Sequence, residues 1–143
     1  MKLLSLSASL SLVSAAVAVN LGWDNAYDGP STSLDTVACS NGENGLETRF
    51  GFSNLSQIPT FPFVGGAPDI SGFNSPACAT CWELTYTNST GIAQTVHFTA
   101  IDAGGDDFVT GEGALNSLTN GQAEQLGIIP VTATVVNASA CGL

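Results

Sequence analysis

Cys78-Ala79-Thr80-Cys81-Trp82-Glu83-Leu84-Thr85-Tyr86 joins a C-x-x-C pair directly to a run in which Trp82, Leu84 and Tyr86 alternate with Glu83 and Thr85. Alternation with period two predicts a half-buried strand. Ala93–Ile101 and the β-branched run Val131–Val136 carry the same signal. Clusters of Gly, Pro, Asn and Ser separate these runs at a spacing of about ten residues, which punctuates many short strands. Gly65-Gly66-Ala67-Pro68, Asn74-Ser75-Pro76, Thr87-Asn88-Ser89 and Gly104-Gly105-Asp106 read as turns or loops. Short helices are expected around Ala114–Leu118, stopped by Gly121, and at Gln122–Leu126. The class is mainly β with one or two short helices, most economically a closed barrel, because closure removes exposed strand edges.

A chain of 143 residues fits a single domain. Twelve acidic residues face only Lys2 and Arg49, a net charge of −10. Binding nucleic acid or anionic lipid through a basic patch is excluded, since that mode needs several cations. At the N-terminus, Met1-Lys2 is followed by Leu3, Leu4, Leu10, Leu12 and Val13 and then by Ala16-Val17-Ala18. This predicts a secretory signal peptide over residues 1–18, cleaved after Ala18, with one domain over 19–143. The serine-broken apolar stretch is short for a bilayer span of about 20 residues, so no integral membrane segment is expected in the mature chain. Loss of Lys2 leaves Arg49 as one base against twelve acids, a net charge of −11.

Secretion decides how the cysteines are read. Cys39, Cys78, Cys81 and Cys141 are even in number, so two disulfides are expected, with three connectivities open. A redox C-x-x-C would want a thioredoxin-like context, and a zinc site more ligands than His97 and two distant cysteines offer. The sequons at Asn54, Asn88 and Asn137 agree with an exported chain.

Four blocks taken in order, Ile58 to Gly66, Gly72 to Trp82, Ile101-Asp102-Ala103-Gly104 and Cys141-Gly142-Leu143, resemble the cerato-platanin family of small secreted fungal proteins. Trp23-Asp24 and Val37-Ala38-Cys39-Ser40 extend the resemblance over essentially the whole mature chain. It implies a six-stranded double-psi β-barrel related to barwin, expansins and family-45 glycoside hydrolases, with disulfides Cys39–Cys78 and Cys81–Cys141. It further implies extracellular, fungal cell-wall location, binding to chitin oligomers, expansin-like loosening of polysaccharide without hydrolysis, self-association at interfaces and elicitation of plant defence through a host immune receptor.

Glycoside hydrolysis usually needs two carboxyls flanking the scissile oxygen, at about 5–5.5 Å or 6.5–9.5 Å. Asp102, Asp106 and Asp107 are the candidates. Alternation places Asp102 on the face of Val96, Phe98 and Ala100, so of the three it is expected to be partly buried and hydrogen-bonded. By resemblance it is the family's groove Asp. The second carboxylate position of the hydrolytic relatives falls near Phe108-Val109, and Val109, where the family usually has Asn, cannot transfer a proton. Asp106 and Asp107 replace glycines of the family and read as a solvated loop. Ile101-Asp102-Ala103-Gly104 also resembles half an aspartic-protease motif, but only one copy is present. His97 has neither a nucleophile elbow nor a free cysteine beside it and reads as an ordinary strand residue. A binding groove asks for less. Asp102 supplies the acceptor, Gly104 and Gly105 allow close backbone approach, and Leu84 offers an apolar contact at a family groove position. The aromatic segment Phe50–Phe63, broken by Pro59 and Pro62, is expected to pack over the barrel mouth. An exposed portion would instead suit interfacial self-assembly, the alternative to sugar recognition. No metal-ligand cluster, phosphate loop or nucleotide fingerprint is present in the sequence, and no cofactor is expected.

Overall fold

The computed structural model describes residues 15–143. Its strands close on themselves in the order β1 (Val17–Trp23), β5 (Phe108–Thr110), β2 (Val64–Ala67), β4 (Ala93–Ala103), β3 (Cys81–Thr87) and β6 (Ile128–Val136). Strands β3 and β4 form an antiparallel hairpin from Cys81↔Thr99 to Thr87↔Ala93. Asn88 closes it, its Oδ1 accepting from the Thr90 backbone N–H, the Thr90 hydroxyl and the Ile92 N–H at 3.0, 2.7 and 3.0 Å. Strand β6 flanks β3 on the other side and β1 pairs antiparallel to β6. Parallel pairs β1·β5 and β2·β4, joined by the single Gly66↔Val109 bridge, complete the ring.

The three alternating runs are strands, as expected, and their inward residues fill the barrel. Leu84, Phe98, Ile101, Phe108 and Ile129 are all at most 2% exposed. Phe108 packs edge-on to both Phe98 and Trp82, with ring centroids 5.5 and 5.1 Å apart. The Gly65-Gly66-Ala67-Pro68 stretch, read as a turn, is instead mostly strand β2. A Cβ on Gly65 would lie 1.9 Å from the Val109 carbonyl oxygen, and one on Gly66 2.8 Å from that of Ala103. The absence of side chains lets this backbone thread between β4 and β5, so the glycines serve strand packing rather than chain reversal.

Helix α2 (Glu112–Thr119) covers the expected segment and α3 (Ala123–Leu126) follows it. The stop expected at Gly121 falls one residue earlier, where Asn120 adopts the left-handed conformation at φ 56°. A further helix, α1 (Leu46–Phe50), is too short for its periodicity to show in sequence. In the Phe50–Phe63 segment, Leu55 and Ile58 are buried while Phe50, Phe52, Phe61 and Phe63 are partly buried against the core. All four phenylalanines of the segment thus pack against the core.

Disulfides join Cys39 to Cys78 and Cys81 to Cys141, the pairing implied by the resemblance. The leader expected over residues 1–18 lies outside the described residues as far as residue 14. Val17 and Ala18 pair with Ala133 and Thr132 at the start of β1. No helix among the described residues is long and apolar enough to cross a membrane.

The bridges close loops with sequence separations of 39 and 60 residues. By the chain-entropy relation each contributes about 4 kcal/mol. Replacing Cys81 and Cys141 together with serine is therefore expected to lower the unfolding free energy by about that amount in urea denaturation, with a smaller effect if the unfolded chain is already compact.

Candidate functional site

Asp102 sits near the end of β4, at a break in the strand's register. Gly65 pairs with Ala100 but the next residue, Gly66, pairs with Asp102, so Ile101 is an extra residue on β4. Such a bulge bends the strand and re-aims the following side chain. Asp102 is half-buried and hydrogen-bonded, as expected, but the bulge rather than unbroken alternation sets its direction, and its carboxylate gathers three donors. Oδ1 accepts from the backbone N–H groups of Ala38 and Ala103 at 3.0 and 2.9 Å. Oδ2 accepts from the Tyr27 hydroxyl at 2.9 Å. A carboxylate has about four acceptor positions, so about one remains for a ligand.

Tyr27 was not singled out from sequence. It lies in a 3-10 turn, Asn25–Tyr27, whose N-cap Asp24 accepts from the Ala26 N–H. The residue is 8% exposed. Burial, and after it the facing Asp102 carboxylate, pushes its phenol well above the ordinary value. Its neighbour Asp28 caps α2, accepting from the Gly113 and Glu112 N–H groups at 2.9 and 3.1 Å. One short segment thus anchors both Asp102 and the helix. The only sequence signal was a tyrosine in a polar stretch, a residue whose hydroxyl generally needs a partner when buried.

The other expected site residues divide. Gly104 is committed to packing: its N–H donates to the Ala67 carbonyl at 3.0 Å, and a Cβ there would lie 2.8 Å from the Ala67 nitrogen. Gly105, exposed at φ 71° with open space around it, is the member of the pair free to face a ligand. Leu84 is 1% exposed in the core, so it has no surface to offer a sugar ring, and its expected groove contact is corrected. Alternation could show that Leu84 faces an apolar side but not that this side is sealed. Val109 is half-buried opposite Gly66. Asp106 is exposed on the rim of a separate hollow of about 280 Å³ that Trp82, Phe108, Val19 and Asp69 also line. His97 is exposed, 3.6 Å from Glu83 across the β3–β4 hairpin. That position suits a surface strand pair.

A family model described as Cerato-platanin matches residues 19–143. The heat-stable 19 kDa antigen of Coccidioides immitis is 41% identical over 128 residues, spanning 90% of this chain and 84% of that protein. Among solved structures, cerato-platanin 2 from M. perniciosa superposes with a TM-score of 0.84 at 45% identity, covering 89% of this chain and 100% of that one. The solution structure of the fungal elicitor Cerato-Platanin gives a TM-score of 0.73 at 34% identity, covering 86% and 96%.

Asp102→Ala would strand the Tyr27 hydroxyl and the Ala38 N–H, and is expected to cost about 2–4 kcal/mol in chemical denaturation. The Tyr27 phenol has a pKa higher in the folded than in the unfolded chain. Its contribution is therefore fully present below pH about 10 and lost as pH rises through the folded value. Unfolding free energies measured from pH 9 to 12 should fall with pH, and Tyr27→Phe should flatten that fall.

Proposed function

Because the chain belongs to the cerato-platanin family, we propose that it is a secreted, non-catalytic cell-wall protein that binds chitin or a similar chain of β-linked N-acetylglucosamine beside Asp102. The observation that carries this reading is the half-exposed Asp102 carboxylate, which keeps about one acceptor position after its three internal donors and stands near the open Gly105 turn. One hydroxyl or amide accepted there, with backbone contacts from Gly105, suits weak recognition of a sugar. Val109 in place of the family's usual Asn removes a polar partner and lowers the affinity expected for N-acetyl groups.

Hydrolysis lacks support, since proton transfer in the usual mechanism needs a second carboxyl across the bond and Val109 supplies none. The leader of residues 1–18 and export form part of the same reading and rest on the apolar N-terminal run, and wall location rests on the family. Loosening of polysaccharide would follow from binding that competes with chain-to-chain hydrogen bonds, with no bond cleaved. A role in plant-defence elicitation is supported by the likeness to a protein described as a fungal elicitor. Interfacial self-assembly has less to draw on, because the Phe50–Phe63 segment that would have served it packs against the core.

Titration of the oxidised mature protein with N-acetylglucosamine oligomers, followed by amide NMR, is expected to give saturable shifts at Asp102, Gly104 and Gly105. The sugar signals should show no new reducing ends. Absence of shifts at millimolar oligomer would falsify the groove, and released reducing ends would overturn the non-catalytic assignment.

A further inference from the structure

A sugar groove needs an apolar face for the flat side of the pyranose ring, and with Leu84 sealed in the core that face must come from elsewhere. Phe73 is 65% exposed and is the one aromatic among the strongly exposed large hydrophobic residues of the described chain. Its exposure is built rather than loose. Asn74, which follows it, holds the left-handed conformation at φ 58°. The Asn74 side-chain oxygen accepts from the Asn44 N–H at 2.8 Å, and its carbonyl accepts from the Asn44 side-chain amide at 3.0 Å. Gly42 leaves room for this clasp, since a Cβ there would meet the Asn74 side-chain oxygen at 2.5 Å. The Ser75 N–H donates to the Gly72 carbonyl at 3.2 Å, and the Cys78 N–H to that of Ser75 at 3.0 Å. Cys78 is itself bonded to Cys39. A costly hydrophobic exposure is thus held on a fixed backbone.

Ala38 joins this loop to Asp102. Its N–H donates to the Asp102 carboxylate at 3.0 Å, and its carbonyl accepts from the Asn74 N–H at 3.4 Å. One residue therefore separates the carboxylate from the backbone that carries Phe73. The net charge of −10 repels uronate or sulfate chains and sets no such cost on a neutral polysaccharide.

We propose that Phe73 is the stacking platform of the polysaccharide groove, receiving the C–H face of a sugar ring of a neutral β-linked chain while Asp102 accepts a hydroxyl or amide at the neighbouring edge. The assignment rests on the groove reading above and adds the residue that supplies its apolar contact.

The test is retention of the mature wild-type, Phe73→Ala and Phe73→Trp proteins on insoluble chitin, cellulose and β-1,3-glucan, with elution by the matching soluble oligomer. Since Phe73 contributes little to the core, all three proteins should share one melting temperature. The expected result is a roughly tenfold loss of retention in Phe73→Ala, the order of one lost stacked ring, and recovery in Phe73→Trp. Equal retention of wild type and Phe73→Ala overturns the platform and leaves the groove standing. Loss that Trp does not restore also overturns it, as does retention that soluble oligomer cannot compete, which marks plain hydrophobic adsorption. No retention of wild type on any of the three solids overturns the platform and the groove together.

Discussion

The Asp102 carboxylate is the point where the separate parts of this molecule are tied. It receives a hydroxyl from the turn after the first strand, a backbone donor from the segment before Cys39 and another from its own strand end. These partners lie 75, 64 and 1 residues away in sequence. A charged acceptor makes stronger hydrogen bonds than a neutral one, so a single side chain can hold three segments in fixed relation. The same saturation limits what it can do for a ligand. An aspartate read from sequence as a partly buried groove acceptor is largely a structural clasp, and what it offers outward is the remainder. This suits recognition that is shallow and distributed over several residues.

The parts legible in the sequence are those whose pattern is local. Strands β3, β4 and β6 alternate over enough residues to be read directly, and α2 has room for a turn and a stop. Partial burial of Asp102 was expected from the same alternation, but the extra residue Ile101 shifts that alternation before Asp102 is reached. Strand β2 escaped because its glycines carry the signature of a turn while serving close packing, and β5 because it spans three residues. Leu84 was placed in the groove because an apolar strand position looks the same whether it lines a cleft or a sealed interior. The Tyr27–Asp102 contact left no local trace, since it exists only once the ring is closed. The cysteine pairing was fixed by resemblance, not by spacing, which leaves all three connectivities open.

Glycine serves opposite purposes within one short stretch of this chain. Gly66 and Gly104 let backbones approach within the barrel, and Gly105 supplies a left-handed turn in open space. Composition alone would treat them alike. Their separate neighbours show that a glycine-rich loop beside a candidate site can be rigid on its inner side and open on its outer side.

The ring order also dictates when the molecule can be finished. The first strand lies between the fifth and the sixth, so both of its lateral partners come from the second half of the chain. Cys39 and Cys78 both precede those partners, whereas Cys141, which bonds Cys81, follows them. Because contacts between distant segments form slowly, closure becomes a late folding event in which β6 completes both its neighbours at once. A ring of this order closes, by hydrogen bonding and covalently, only when β6 and Cys141 are in place.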